Sequence, residues 1–202
     1  MAMSIIILTD QVETPIGPML LMVKGDMLIG LEFYDQPDRY MKDIRRRFPD
    51  HEMREKVNPC GFSDRVLAYY KGDLQAIDGL PSRGDGTPFQ ERVWAELRRI
   101  KAGTTISYGE LAMRLGDRNA MRAVGLANGR NPISVVVPCH RVIGADGTLT
   151  GYGGGVPRKS WLLNHEGVPI RNGRVERQID LFEHDPRKRM NRVASSQWPG
   201  KT

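Results

Sequence analysis

Short apolar blocks separated by turn residues fill the first part of the chain. Residues 5–8 are β-branched and apolar. Residues 19–23 and 27–33 flank the turn Lys24-Gly25-Asp26, and Pro15-Ile16-Gly17-Pro18 punctuates the segment before them. This pattern predicts hairpins of an antiparallel sheet over 4–33. The period then changes to that of a helix: Tyr40, Met41, Ile44 and Phe48 share one face over 37–48. Ser63-Asp64 opens a second helix over 65–70, with Val66, Leu67 and Tyr70 inward and Gly72 at its end. The turn-rich stretch 78–87 predicts a boundary, giving an α/β domain over 1–86, a second domain over 87–168 and a basic tail over 169–202.

Beyond the boundary the helical period dominates. Thr87-Pro88 starts a helix with proline in its first turn. Phe89, Val93, Trp94, Leu97 and Ile100 then repeat at helical spacing, and Gly103 ends the segment. Ser107 and Glu110 have capping-box spacing, ahead of a short helix with Leu111, Ala112 and Leu115 apolar and Gly116 closing it. Asn119 caps another helix over 120–128, which Gly129 ends. Two short helices joined by a tight glycine-containing turn predict a helix-turn-helix. Ala120, Ala123, Gly125, Ala127 and Gly129 are all small, which suits close approach to another surface or tight packing in a core. A β-branched run over 133–137 leads into Pro138-Cys139-His140-Arg141-Val142-Ile143. Glycines 144, 147, 151, 153, 154 and 155 mark turn and loop, and a last helix over 159–165 ends at Glu166-Gly167. From 168 the chain is charged, with Arg187-Lys188-Arg189, and predicts loose order.

Charge and composition narrow the function. The chain has 202 residues and a formal charge of +6. Residues 1–87 carry −3, 88–167 carry +5 and 168–202 carry +4, so the positive charge lies where a polyanion would meet the helix-turn-helix. Two cysteines exclude a disulfide framework and a four-cysteine zinc site. No apolar run exceeds five residues, short of a secretory core or a membrane span. These features predict a cytoplasmic protein (nuclear in a eukaryote).

Cys139 is the candidate nucleophile. A thiol near pKa ~8.5 is mostly protonated at neutral pH and needs a base or a positive environment. His140 and Arg141 adjoin it, and Glu166 is a candidate to orient the imidazole. Cys60, in Asn58-Pro59-Cys60-Gly61, has no such neighbours and reads as a structural thiol. His51, His140, His165 and His184 are scattered without ligand spacing. The glycines of 151–155 lack the lysine and hydroxyl of a phosphate-binding loop, and read as a pocket wall or mobile loop.

Asn131-Pro132, five residues, then Pro138-Cys139-His140-Arg141-Val142 resembles the active-site signature of the O6-alkylguanine-DNA alkyltransferases. The resemblance extends to Thr87-Pro88-Phe89-Gln90 with Val93-Trp94, to Ser107-Tyr108-Gly109 with Leu111-Ala112, and to Arg122-Ala123-Val124-Gly125. Gly151-Tyr152, Gly154-Gly155, Lys159, Leu162-Leu163 and Glu166-Gly167 complete it. It is strong over about 87–167 and weaker over 12–80. It implies an α/β (α+β) chain: a small N-terminal RNase H-like antiparallel-sheet domain with helices, then a mainly α, helix-turn-helix (winged-helix-like) C-terminal domain.

The resemblance also implies DNA repair by irreversible, single-turnover transfer of the alkyl group of O6-alkylguanine to Cys139. His140, acting through water, deprotonates the thiol, Glu166 orients His140, and Asn131 organises the turn. Tyr108 donates to the base or crowds the phosphate. Arg122 fills the stack left by the flipped base, alongside DNA-binding Ala123, Gly125 and Arg130. Val142, Tyr152, Gly153 and Lys159 form the base pocket. The implied partner is double-stranded DNA bound through the minor groove by a monomer, with cooperativity left open, no membrane, no cofactor and no metal. Gly153 departs from relatives that carry a hydroxyl donor there. Two other readings stay open on the residues: a lesion-binding protein without transfer, and a thiol hydrolase using Cys139, His140 and Glu166.

Overall fold

The computed structural model describes residues 4–176. Three strands, β1 (Ile5–Val12), β2 (Met19–Lys24) and β3 (Met27–Phe33), form the antiparallel hairpins expected from the sequence. Helix α1 (Pro37–Arg47) follows, and then β4 (His51–Glu55), which pairs parallel to β1 and gives the order β3-β2-β1-β4. The sequence reading omits β4. Its residues, His-Glu-Met-Arg-Glu, are half-buried or exposed, so no apolar run marks them.

The sheet is covered on both faces, which is why β2 reads as an unbroken apolar run. Met19, Leu21 and Val23 point to one face and Leu20 and Met22 to the other. The second face packs on Tyr40, Ile44 and Phe48 of α1. The first packs on α2 (Phe62–Tyr70) and on α3 (Pro88–Arg98), whose Val93, Trp94 and Leu97 join the same cluster. Each such fully buried aliphatic side chain contributes about 1.5–3 kcal/mol. One apolar cluster therefore draws residues from both sides of position 87. Opposite the Met22/Val23 step, β3 carries one extra residue, Ile29. The bulge puts Leu28, Leu31 and Phe33 on the same face despite their odd spacing. Glu32 is left facing α1.

Several boundaries differ from the sequence reading. Ser63 and Asp64 lie inside α2 rather than capping it: Ser63 Oγ donates to Asp10 Oδ2 and Asn58 Nδ2 donates to Asp64 Oδ2. Val66 and Tyr70 are buried as expected, but Tyr69 is fully buried and Leu67 only partly, because α2 turns its Tyr69 face toward the rest of the core. Cys60 is exposed in the turn before α2. Helix α3 ends at Arg98, ahead of Gly103.

After β5 (Ile106–Ser107) comes α4 (Tyr108–Arg114), with the expected Ser107/Glu110 capping box. Asn119 is not a cap. Asp117 accepts from the Asn119 N–H and starts a single 3-10 turn, and α5 spans Met121–Gly129. After β6 (Val142–Ile143), the last helix, α6 (Val156–His165), begins three residues before the expected Lys159. The chain beyond 168 is ordered in part: β7 (Ile170–Arg171) and β8 (Arg174–Val175) form a hairpin, with Ile170 and Val175 against Ile143, Leu149, Leu163 and Val168. Arg187-Lys188-Arg189 lies outside the described residues.

Candidate active site

The segment carrying Cys139 docks on the free edge of β3. The Leu31 N–H donates to the Pro132 carbonyl at 3.0 Å, and the Ser134 N–H donates to the Leu31 carbonyl at 2.9 Å. The β-branched run 133–137 is thus held by the sheet yet bends away from it. Val135 has φ +72°, a rare value for a β-branched residue. Around it the Val136 N–H reaches the Ser134 carbonyl at 2.9 Å, and the Cys139 N–H reaches the Val137 carbonyl at 2.8 Å around Pro138. Two tight turns in succession set the start of the 3-10 turn of Cys139–Arg141.

Asn131 fixes this arrangement from inside. Its Nδ2 donates to the Val137 carbonyl at 2.8 Å and reaches Cys139 Sγ at 3.1 Å, and its Oδ1 accepts the Ile133 N–H at 3.0 Å. Cys139 is buried. Burial pushes its thiol up, and the Asn131 donor partly opposes that shift. At neutral pH the sulfur is therefore a thiol that needs a base.

His140 and Glu166 are both buried, and His140 Nε2 lies 3.0 Å from Glu166 Oε1. Burial raises the Glu166 carboxyl, but His140 and Arg141 outweigh it and hold the acid well below the usual range. Arg141 provides a fork, Nε to Oε2 at 2.9 Å and a terminal nitrogen to Oε1 at 2.7 Å, and also donates to the Ile100 carbonyl. Burial holds the imidazole neutral, so Nε2–H donates to the carboxylate and Nδ1 keeps a lone pair. Nδ1 has no protein hydrogen-bond partner among the described residues. The group is a thiol, a poised imidazole base and a fixed carboxylate.

Lys159 is fully buried, and its ammonium donates to the Val142 carbonyl at 2.6 Å and the Thr150 carbonyl at 2.7 Å. It ties the strand after Cys139 to the start of the glycine loop, and burial lowers it to about 8. Tyr152 sets its ring edge-on to His140, with centroids 6.5 Å apart, and its hydroxyl is buried without a partner among the described residues. A Cβ at Gly153 would meet the Arg39 guanidinium, the far end of a flexible, part-exposed side chain that would have to shift. The same Arg39 reaches the Gly129 carbonyl at 3.2 Å, the Asn131 carbonyl at 3.5 Å and Glu32 at 3.5 Å.

Tyr108 opens α4 beside α5. Its hydroxyl lies 3.5 Å from Asn128 Nδ2, and its ring lies over Gly125. Asn128 also reaches the Cys139 carbonyl, linking α5 to the acceptor turn. Arg122 and Ala123 are exposed on α5, between Met121 (51% exposed) and Leu126 (61%). Arg130 is exposed at the end of α5 and lines a cleft of about 400 Å³ with Arg39, Lys42 and Asn131. Cys139, His140, Glu166 and Asn131 thus form one buried cluster, with Val142, Tyr152 and Lys159 around it and Arg122 and Ala123 on the neighbouring surface. Sequence reasoning missed Tyr69, Arg39 and Asn128 as site residues, and gave Arg141 only as a positive neighbour of the thiol, not as the partner of Glu166. Arg141 offers a signal, a charge beside the candidate base in an otherwise apolar segment. Tyr69 sits in an apolar helix and offers none. Among the described residues, no group of three His, Cys, Asp or Glu could hold a metal ion, and no helix is long and apolar enough to cross a membrane.

A family model described as 6-O-methylguanine DNA methyltransferase, DNA binding domain, matches residues 88–168. The methylated-DNA–protein-cysteine methyltransferase of Shigella flexneri is 48% identical over 164 residues, 80% of this chain and 96% of that protein. The Mycobacterium tuberculosis protein of the same name is 46% identical over 176 residues, 85% and 96% of the two chains. The crystal structure of Mycobacterium tuberculosis O6-methylguanine methyltransferase aligns with a TM-score of 0.67 at 39% identity, covering 82% of this chain and 96% of that one. Mycobacterium tuberculosis OGT in complex with DNA aligns with a TM-score of 0.67 at 41% identity, covering 80% and 92%.

Proposed function

The chain belongs to the methylated-DNA–protein-cysteine methyltransferase family, and from that premise we propose that Cys139 is its alkyl acceptor. The protein repairs DNA by moving an alkyl group from the base to a cysteine of its own. The observation that carries the assignment to Cys139 is its burial beside the His140–Glu166 pair with Asn131 Nδ2 at its sulfur.

The chemistry is a displacement at carbon. His140 Nδ1 takes the thiol proton through a bridging water, and Glu166 stabilises the imidazolium that forms. Asn131 donates to the sulfur as its charge develops. The sulfur lone pair forms the S–C bond, the C–O6 bond breaks, and the electron pair leaves with guanine. Burial raises the Tyr108 phenol, so it is protonated at neutral pH and can hand its proton to the departing base, and the thiol proton taken by His140 returns through solvent to the phenolate. The product is a thioether. No group in the cluster reverses it, so each molecule acts once.

The target base must leave the duplex to reach a buried sulfur, at a cost of a few kcal/mol. The α5 surface fits that step. Ala123 and Gly125 let the helix lie against the minor groove, and Arg122 enters the stack in place of the base. The middle of the chain supplies phosphate contacts, so binding weakens as salt rises. The protein acts as a monomer in the cytoplasm. Lys159 and the loop of Tyr152 and Gly153 shape the base pocket, with Val142 at its floor.

The test is mass analysis after one exposure to a duplex containing O6-methylguanine. The peptide bearing Cys139 gains a single methyl group, and Cys139→Ala gains none. Label on another residue, or repeated turnover, overturns the assignment.

A further inference from the structure

The acceptor relay is completed by a residue from a helix distant in the chain. Tyr69 lies on α2, and its hydroxyl donates to Glu166 Oε1 at 2.7 Å across 97 positions of chain. Both groups are buried. Oε1 accepts from three donors, Tyr69, an Arg141 terminal nitrogen at 2.7 Å and His140 Nε2 at 3.0 Å. The imidazole makes the longest of the three bonds. It shares its acceptor with a phenol that cannot release its own proton, since burial and the adjacent carboxylate push that hydroxyl far above its ordinary value.

The placement of Tyr69 is over-determined. Its ring meets His165 edge-on, with centroids 5.1 Å apart, and Tyr70 at 5.3 Å. Its backbone carbonyl lies 2.8 Å from His165 Nε2. Helices α2 and α6 are thereby clamped at the residue next to Glu166, and the hydroxyl cannot swing away from Oε1 without breaking that clamp.

We infer that Tyr69 is a positioning residue of the alkyl-transfer reaction, fixing the Glu166 carboxylate against Arg141 and limiting how strongly it attracts the His140 proton; this rests on the proposed role of Cys139 and His140. The physical reason is competition for one oxygen. A carboxylate that already accepts two strong bonds has less charge density to offer a third donor. Removing the phenol leaves Oε1 to Arg141 and His140. The freed carboxylate then stabilises imidazolium more, and the proton affinity of His140 rises. The charged and titratable groups around the pair are Cys139, His140 and Arg141 of the acceptor turn, Tyr69 and Tyr70 of α2, Lys159 and His165 of α6, and Tyr152 of the loop.

His140 acts as a base only when neutral. Raising its proton affinity moves the acid side of the rate profile to higher pH, while DNA binding, made on another surface, is unaffected.

The test compares wild type, Tyr69→Phe and Tyr70→Phe in single-turnover transfer from O6-methylguanine duplex at saturating DNA, between pH 5.5 and 8.5. In Tyr69→Phe the rate constant falls, with a loss about three- to tenfold larger at the acid end than at pH 8, equivalent to half to one unit in the proton affinity of His140. The Kd for DNA is unchanged, and Tyr70→Phe keeps the wild-type profile. In the unreacted protein, the nitrogen resonances of His140 followed against pH show the same upward displacement. A Tyr69→Phe protein with lowered thermal stability but a wild-type pH profile and unshifted His140 resonances overturns the inference. Failure of wild type to take the methyl group overturns the assignment of Cys139 instead, and the resonance measurement still judges Tyr69, because it needs no DNA.

Discussion

The side-chain amide of Asn131 stands 3.1 Å from the sulfur of Cys139, eight positions away in the chain. The same amide holds the Val137 carbonyl and the Ile133 N–H. One residue thus both shapes the turn and offers a donor to the reacting atom.

Replacing Asn131 by alanine removes a donor to a developing thiolate, an interaction worth about 1.5–3 kcal/mol. The transfer rate falls by about 10- to 100-fold. Asn131→Asp falls further, since a carboxylate beside the sulfur opposes ionisation. Single-turnover kinetics on methylated duplex measure both, and wild-type rates in Asn131→Ala contradict the role.

Glu166→Gln conserves size and removes charge. Arg141 is then a buried cation without its partner, which costs about 3–5 kcal/mol, and His140 loses the group that stabilises its charged form. Urea unfolding shows a loss of stability of that order, and methyl transfer becomes undetectable on the wild-type timescale. A variant that is stable and active contradicts the network.

Glu32 faces α1 from β3, 3.5 Å from Arg39. Burial raises its carboxyl from an ordinary 4.5 to about 7, with Arg39 opposing. The folded state therefore binds more protons than the unfolded chain between those values, and this group's contribution to stability is lost as pH rises from about 4.5 to about 7. Glu32→Gln removes that pH dependence. Between pH 5 and pH 8 the urea midpoint of wild type falls relative to that of the variant. An equal change in both shows that Glu32 titrates in the ordinary range.

Arg122→Ala slows repair in duplex DNA by about tenfold or more and leaves repair of single-stranded substrate nearly unchanged, because only a duplex has a stack to fill. Equal loss on both substrates contradicts the wedge role.

The helical part of the molecule was the more legible from sequence. Thr87-Pro88 and the Ser107/Glu110 box are local signals that act through the nearest backbone N–H groups, and both caps form as written. Asn119 misled because Asp117, two residues earlier, competes for the same turn and wins the cap. Strand β4 was invisible because an edge strand with one half-buried face has little apolar periodicity. The hairpin at 170–175 was hidden by its charged residues, although Ile170 and Val175 find Leu149 and Val168 in space.

The sequence alone determined the candidate sulfur, its neighbouring imidazole and the helix pair beside them, since these lie in contiguous residues whose chemistry is local. It also determined that Asn131 belongs with Cys139, through the family resemblance of a short motif. Tertiary structure alone decided how the relay is held. Arg141 turns back to Glu166, Tyr69 arrives from another helix, Arg39 fills the space that Gly153 leaves, and Lys159 closes the loop onto Val142. Each of these contacts joins residues far apart in the chain, apart from Lys159 and Val142, which a single loop separates. Buried charges require such partners because water cannot reach them, and which residues serve is set by how sheet and helices pack, which no local pattern encodes.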